Sequence, residues 1–291
     1  MVLRINPSKF PVWRSPTELQ IGLDPSAPRF KDLTRAQERL IQLLYKGMPN
    51  TYVKEAAGNL AITNPQEIID LVKPVLMEVT FPQVDEEFVK RNFAEICRAQ
   101  ATYNHSGESI IAQRQTRTVF ISDELNCGKL IADALTNSGI GQTGLLQTNE
   151  CDFAILIGNL VLPPSSYNHW LNKLTPHLAI VFDQDGVTIS PVIETGKTPC
   201  LTCFHEQQIS KDAAWPEIAS QLLFSEQKFD DSTSRLFAAA IACQRTLDTI
   251  DELASFTVND RNRVGYRLSV STGTVSEFRW EFSSNCLCQQ G

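Results

Sequence analysis

A chain of 291 residues has room for two domains of ordinary size, each with its own core. With 42% hydrophobic and 20% charged residues it is globular rather than disordered, and a net charge of −7 gives it no overall basic footprint for nucleic acid. No run approaches the ~20 apolar residues that cross a bilayer, and the N-terminal Met-Val-Leu-Arg-Ile-Asn-Pro holds no signal-peptide core, so a cytoplasmic protein is expected.

Residues 12–14, 18–23 and 29–33 read as three short strands, separated by the turns Ser15-Pro16-Thr17 and Asp24-Pro25-Ser26. Then the period changes. Thr34 is placed to cap a helix, with Gln37 and Glu38 where a capping box needs them; Leu40, Ile41, Leu43 and Leu44 follow at helical spacing, and Gly47 ends it. A second helix is expected over 51–60. Asn64-Pro65 opens a third, whose apolar positions Ile68, Ile69, Leu71, Val72, Val75 and Leu76 run on past a kink at Pro74. Three strands and three helices make a small winged-helix-like module over residues 1–84. A connecting helix is expected over 85–101, and the polar stretch 103–116 places a boundary near Gly107.

From residue 117 the pattern is strand (117–121), helix (128–138) and strand (144–147). Then come an apolar strand (153–157), a helix (167–174) and a strand (177–182), with Asp185-Gly186 turning a hairpin into 187–193. Helices are expected over 215–223 and 234–253, and a closing hairpin over 266–281 around Thr272-Gly273. This alternation makes residues 117–291 an α/β domain with helices on the faces of its sheet.

Eight cysteines without an export signal argue against a disulfide scaffold. Cys97, Cys127, Cys151 and Cys243 stand singly among apolar neighbours, as small buried hydrophobes do. Cys200-Leu-Thr-Cys203 and Cys286-Leu-Cys288 form two tight pairs with 82 residues between them. Tetrahedral zinc takes four thiolates, and a C-x-x-C turn offers two sulfurs without strain; four thiolates leave no open position, so the ion is structural. Two other readings stand beside this one: unrelated cysteines, or a redox dithiol at 200/203, in which the second pair has no part.

The expected strand-helix turn, Ser122-Asp-Glu-Leu-Asn-Cys-Gly128, carries one glycine where a dinucleotide loop needs three. Asp123 and Glu124 would repel a phosphate at the helix start, and no G-x-x-x-x-G-K-[ST] occurs, so no nucleotide is expected. His105, His169, His177 and His205 are isolated, with no H-E-x-x-H or G-x-S-x-G near them. His205 reads as a helix-cap or surface residue, and Trp215 and Trp280 as core. A transcription-factor reading fails on charge: the third helix offers only Lys73 against Glu67 and Asp70.

The run Pro191-Val-Ile-Glu-Thr-Gly-Lys-Thr-Pro-Cys-Leu-Thr-Cys203 resembles the P-G-x-T-P-C-L-x-C crossover segment of the ThiF-like, ubiquitin-activating-type superfamily. The hairpin followed by Cys286-x-Cys288 looks like the second half of that superfamily's zinc site. Val12-Trp13-Arg14, Gln20-Ile-Gly-Leu-Asp24 and Leu33-Thr34 before a helix are similar to the leader-peptide-binding partners of thiazole/oxazole-modified microcin cyclodehydratases. The resemblance implies a winged-helix peptide-recognition module fused to a degenerate ThiF-like α/β domain with structural zinc. It implies that a precursor's leader adds a strand beside Arg29, Phe30, Lys31, Asp32 and Leu33 and packs on the face of Ile68, Ile69, Val72 and Leu76, at least half of which must also serve the core. It further implies a YcaO-type cyclodehydratase as the ATP-dependent partner, a flavin dehydrogenase in the same complex, and a homodimer. An active adenylating enzyme with an atypical phosphate loop is the rival expectation.

Overall fold

The computed structural model describes residues 2–79, 86–103, 106–123, 125–144, 150–255 and 263–290. Asp85, His105, Glu124 and strand residues 145–147 of the sequence reading lie outside them. The chain divides into two compact units, Met1–Ala112 and Gln113–Gly291.

In the first unit β1 (Val2–Ile5) precedes an antiparallel sheet of β2 (Pro11–Ser15), β3 (Glu18–Ile21) and β4 (Arg29–Lys31), in that order. Helix α1 (Arg35–Lys46) starts on a full capping box: Gln37 N–H donates to Thr34 Oγ1, and Thr34 N–H donates to Gln37 Oε1. It ends at Gly47, whose φ of 89° suits glycine and whose N–H donates to Leu43 O. β5 (Met48–Pro49), α2 (Val53–Asn59) and α3 (Pro65–Val72) follow.

The third helix does not continue past Pro74. Proline has no N–H and its ring clashes with the preceding turn, so α3 stops at Val72, a 3-10 turn spans Lys73–Val75, and Leu76 opens strand β6 (Leu76–Val79). β6 and β5 flank β1, with Leu76 opposite Ile5. This second sheet carries no alternation in sequence, because Leu3, Ile5, Leu76 and Met77 fall in short segments far apart in the chain. Ile5, Ile21, Leu40, Leu44, Ile68 and Val72 form the core between sheets and helices. Residues 86–113 fold as α4 (Glu86–Arg91), α5 (Phe93–Tyr103) and α6 (Gly107–Gln113), and buried Glu108 pairs with Arg4 at 2.5 Å.

The second unit contains β7 (Thr118–Asp123), α7 (Gly128–Asn137), β8 (Gln142–Gly144), β9 (Phe153–Asn159), α8 (Pro164–Asn172), β10 (His177–Asp183) and β11 (Gly186–Ile189). Helices α9 (Leu201–Lys211), α10 (Trp215–Leu222) and α11 (Ser232–Ser255) lead to the hairpin β12 (Gly265–Ser269) and β13 (Thr274–Phe278). The sheet runs β13-β12-β11-β10-β9-β7-β8, parallel from β10 to β8 and antiparallel from β10 to β13. Successive strand residues point to opposite faces. Val119, Ile121, Phe153, Ile155 and Ile180 therefore pack with α7 and α11, while Ala154, Leu156 and Ala179 pack with Tyr167, Trp170, Leu201 and Cys203. Among the described residues no helix is long and apolar enough to cross a membrane.

His177 is wholly buried where β10 begins; its Nδ1 lies 2.9 Å from Thr175 O and its Nε2 has no partner. Burial lowers its pKa to about 4, so between pH 6.5 and 4 the unfolded chain takes up a proton that the native chain refuses. Stability is therefore lost as pH falls through that window, by about 3 kcal/mol at its foot. Denaturant titrations across pH should show this slope in the parent and its flattening in His177→Leu, read as the difference between the two.

Candidate functional site

The crossover from β11 and the end of the chain build one cluster. The polypeptide leaves Ile193, which bridges His177, and turns at Gly196; Thr198 Oγ1 donates to Val192 O and accepts Glu194 N–H, fixing the loop that delivers Cys200. Cys200 is the N-cap of α9 and Cys203 lies in its first turn, both buried. From the other side, Gly196 N–H donates to Cys288 O at 2.9 Å, and the Trp280 ring lies 5.1 Å from that of Phe204.

The four sulfurs lie within 4.8 Å of one another, with Cys200–Cys286 and Cys203–Cys288 each at 3.5 Å. A four-thiolate tetrahedron with 2.3 Å bonds has edges of about 3.8 Å, so the donor set fits one closed, four-coordinate ion. No sulfur is joined to another as a disulfide. Burial pushes the Cys286 thiol up to about 11, so an arriving ion displaces protons to gain its ligands. The other cysteines behave as small hydrophobes: Cys97, Cys127 and Cys243 are buried, and burial raises the latter two to about 12, while Cys151 is half-buried.

β7 has β8 on one side and β9 on the other, so strand order reverses there, and open α/β sheets bind ligands in the crevice beyond such a point. In this chain its own groups fill that place. Asp123 Oδ2 accepts Gly128 N–H at 2.8 Å and Oδ1 accepts Leu125 N–H at 2.9 Å, so a carboxylate sits at the start of α7, where a phosphate would bind. Segment 227–230 crosses between the two rims: Asn159 donates to Gln227 O and accepts Phe229 N–H, while Asp230 accepts Asn126 N–H. Sequence reasoning found the missing glycines but not this strap, since only the fold brings 123–126, 159 and 227–230 together. Asn159→Ala strands the Phe229 amide and should cost about 1–3 kcal/mol. Limited trypsin digestion should then cut faster after exposed Lys228 than in the parent.

In the first unit β4 has a partner, β3, on one side alone among the described residues. Ile21 N–H donates to Pro28 O and Asp32 N–H to Thr17 O, so residues 28, 30 and 32 face β3. By the alternation of an antiparallel pair, Arg29 and Lys31 turn their backbone groups to the open edge. Their side chains are exposed, as is Asp32, whose φ of 51° ends the strand. Phe30, Ile68 and Val72 are core residues, buried to 4% exposure or less; Leu33, Ile69 and Leu76 pack around them, partly exposed. Leu71, 42% exposed on α3, is an apolar surface group.

No family model and no curated protein matches the sequence. Solved structures do match its fold. A heterocyclase described in complex with substrate and cofactor superposes with a TM-score of 0.68 at 14% identity, over 98% of this chain and 39% of that one. The heterocyclase TruD gives 0.66 at 15%, over 98% and 42%. E. coli MccB, in a structure described with ATP, gives 0.60 at 13%, over 99% and 100%. This chain has the MccB fold from end to end. It spans about two fifths of the heterocyclases that share that fold.

Proposed function

We propose that this chain is a non-catalytic partner protein that binds the leader of a ribosomal precursor peptide and presents it to a YcaO-type cyclodehydratase forming azolines from Cys, Ser or Thr. Residues 1–84 act as the winged-helix recognition module, 85–116 connect, and 117–291 form a degenerate ThiF-like scaffold with zinc on Cys200, Cys203, Cys286 and Cys288. A flavin dehydrogenase in the same complex and a homodimer belong to this reading.

The observation that carries it is the match of nearly the whole chain to two fifths of a heterocyclase. In this reading the cyclodehydratase chemistry belongs to the YcaO-type partner. The open β4 edge supports peptide capture, since strand addition needs outward N–H and C=O groups beside apolar contacts. Leu33, Ile69, Leu71 and Leu76 supply partly exposed apolar surface, whereas Phe30, Ile68 and Val72 would support the groove from beneath.

The rival reading, an adenylating enzyme, draws on the end-to-end match to MccB, a structure of which is described with ATP. Against it stand the Asp123 carboxylate at α7 and the strap over the crevice. Calorimetric titration of the full chain with precursor peptides encoded by neighbouring genes should give micromolar or tighter binding that needs the leader. Pyrophosphate exchange by the purified chain, with no leader binding, would reverse the choice.

A further inference from the structure

We propose that the cavity between α9, α10 and the β9–β11 part of the sheet is a binding site for one uncharged aromatic ring. Its volume is about 190 Å³. An apolar cavity of about 150 Å³ accepts benzene, whereas sites for drug-sized molecules start at about 300 Å³, so one ring fits and a nucleotide does not.

The walls suit a ring. Leu162, Val181 and Leu201 supply aliphatic surface, and Phe204, Trp215 and Trp280 supply aromatic faces. Phe204 and Trp280 lie 5.1 Å apart at 31°, and His205 and Trp215 lie 6.1 Å apart at 28°, leaving pairs against which a further ring can stack or set its edge. His205 is thus not a cap, since it lies within α9, but half of an aromatic wall.

The polar atoms of the lining ask for little. Ser190 Oγ accepts Ala179 N–H and donates to Pro191 O. Both oxygens of Asp183 accept from Arg267, which also donates to Thr188 Oγ1. Trp215 Nε1–H donates to His205 Nδ1 at 3.1 Å, which leaves His205 Nε2 as the ring's remaining polar atom. A charged ligand would forfeit its hydration and find no free counter-charge here, while an apolar ring loses nothing. This site does not depend on the leader-binding reading.

The test uses the whole 291-residue chain loaded with zinc, following tryptophan emission and melting temperature against toluene and, separately, N-acetylphenylalaninamide. Toluene should quench saturably and raise the melting temperature with concentration. Val181→Phe and Leu162→Phe, which fill the cavity from two sides, should each weaken binding at least tenfold. Binding of the amide as well would place the ring on a polypeptide; binding of toluene alone would make the ligand a free small molecule. No saturable response in the parent, or an unchanged response in both filled variants that still melt cooperatively, overturns the assignment.

Discussion

Cys203→Ser should abolish stoichiometric zinc and lower the melting temperature of the second unit by on the order of 10 °C. Cys203 is fully buried in the first turn of α9, and its sulfur lies 3.5 Å from Cys288, so removing it opens the ligand set on both segments. The free energy of structural zinc in small folds is about 10–16 kcal/mol at neutral pH. Here the α/β core stands on its own hydrophobic contacts, so an ion bound at the cluster would hold only the tail and crossover. Losing even about 4 kcal/mol from a unit of this size moves its midpoint by roughly 8–16 °C. Metal analysis, thiol titration and calorimetry should agree, and Cys151→Ser, a half-buried cysteine outside the cluster, should change metal content little. A parent purified metal-free with the same melting curve as the zinc-loaded protein would remove the closed-ion account altogether.

The meeting of the four thiols was legible in the sequence because two close pairs have few uses in a chain without disulfides. The α/β alternation was legible for a similar reason. Phe153, Ile155 and Ile157 on one face, and Ala154 and Leu156 on the other, give the unbroken apolar run of a parallel strand covered on both sides. Sheet β5-β1-β6 was not: β5 has two residues, and Leu76 continues an apolar helix pattern that only Pro74 interrupts. Local periodicity cannot register a strand whose partner lies some seventy residues away at Ile5. The break between α4 and α5 at buried Asn92 and the helix over Gly107–Gln113 were hidden likewise, because polar Glu108 is buried by its ion pair with Arg4 rather than by hydrophobicity. The cavity followed the same rule: Trp215 and Trp280 read as core, and only the fold sets both on its wall.

Lys31→Pro should weaken leader binding by roughly 10- to 100-fold while Lys31→Ala leaves it nearly unchanged. The contrast follows from the direction of one amide. Residues 28, 30 and 32 spend their backbone groups on β3, so the Lys31 N–H has no backbone partner among the described residues and is one of the two outward donors of β4. Proline removes that donor and sets its ring where an added strand must lie, yet breaks no existing ladder bond, which is why edge strands tolerate it. Phe30 before it is already extended, as a residue preceding proline must be. Losing one to two units of log affinity corresponds to about 1.4–2.8 kcal/mol, the scale of one main-chain hydrogen bond plus the displaced contacts around it. Alanine keeps the amide and discards only an exposed side chain. Calorimetry of both variants, with melting curves to establish that each remains folded, separates the two contributions. Equal loss in both would move recognition from the strand edge to the side chain, and no loss in either would take the leader off β4 entirely.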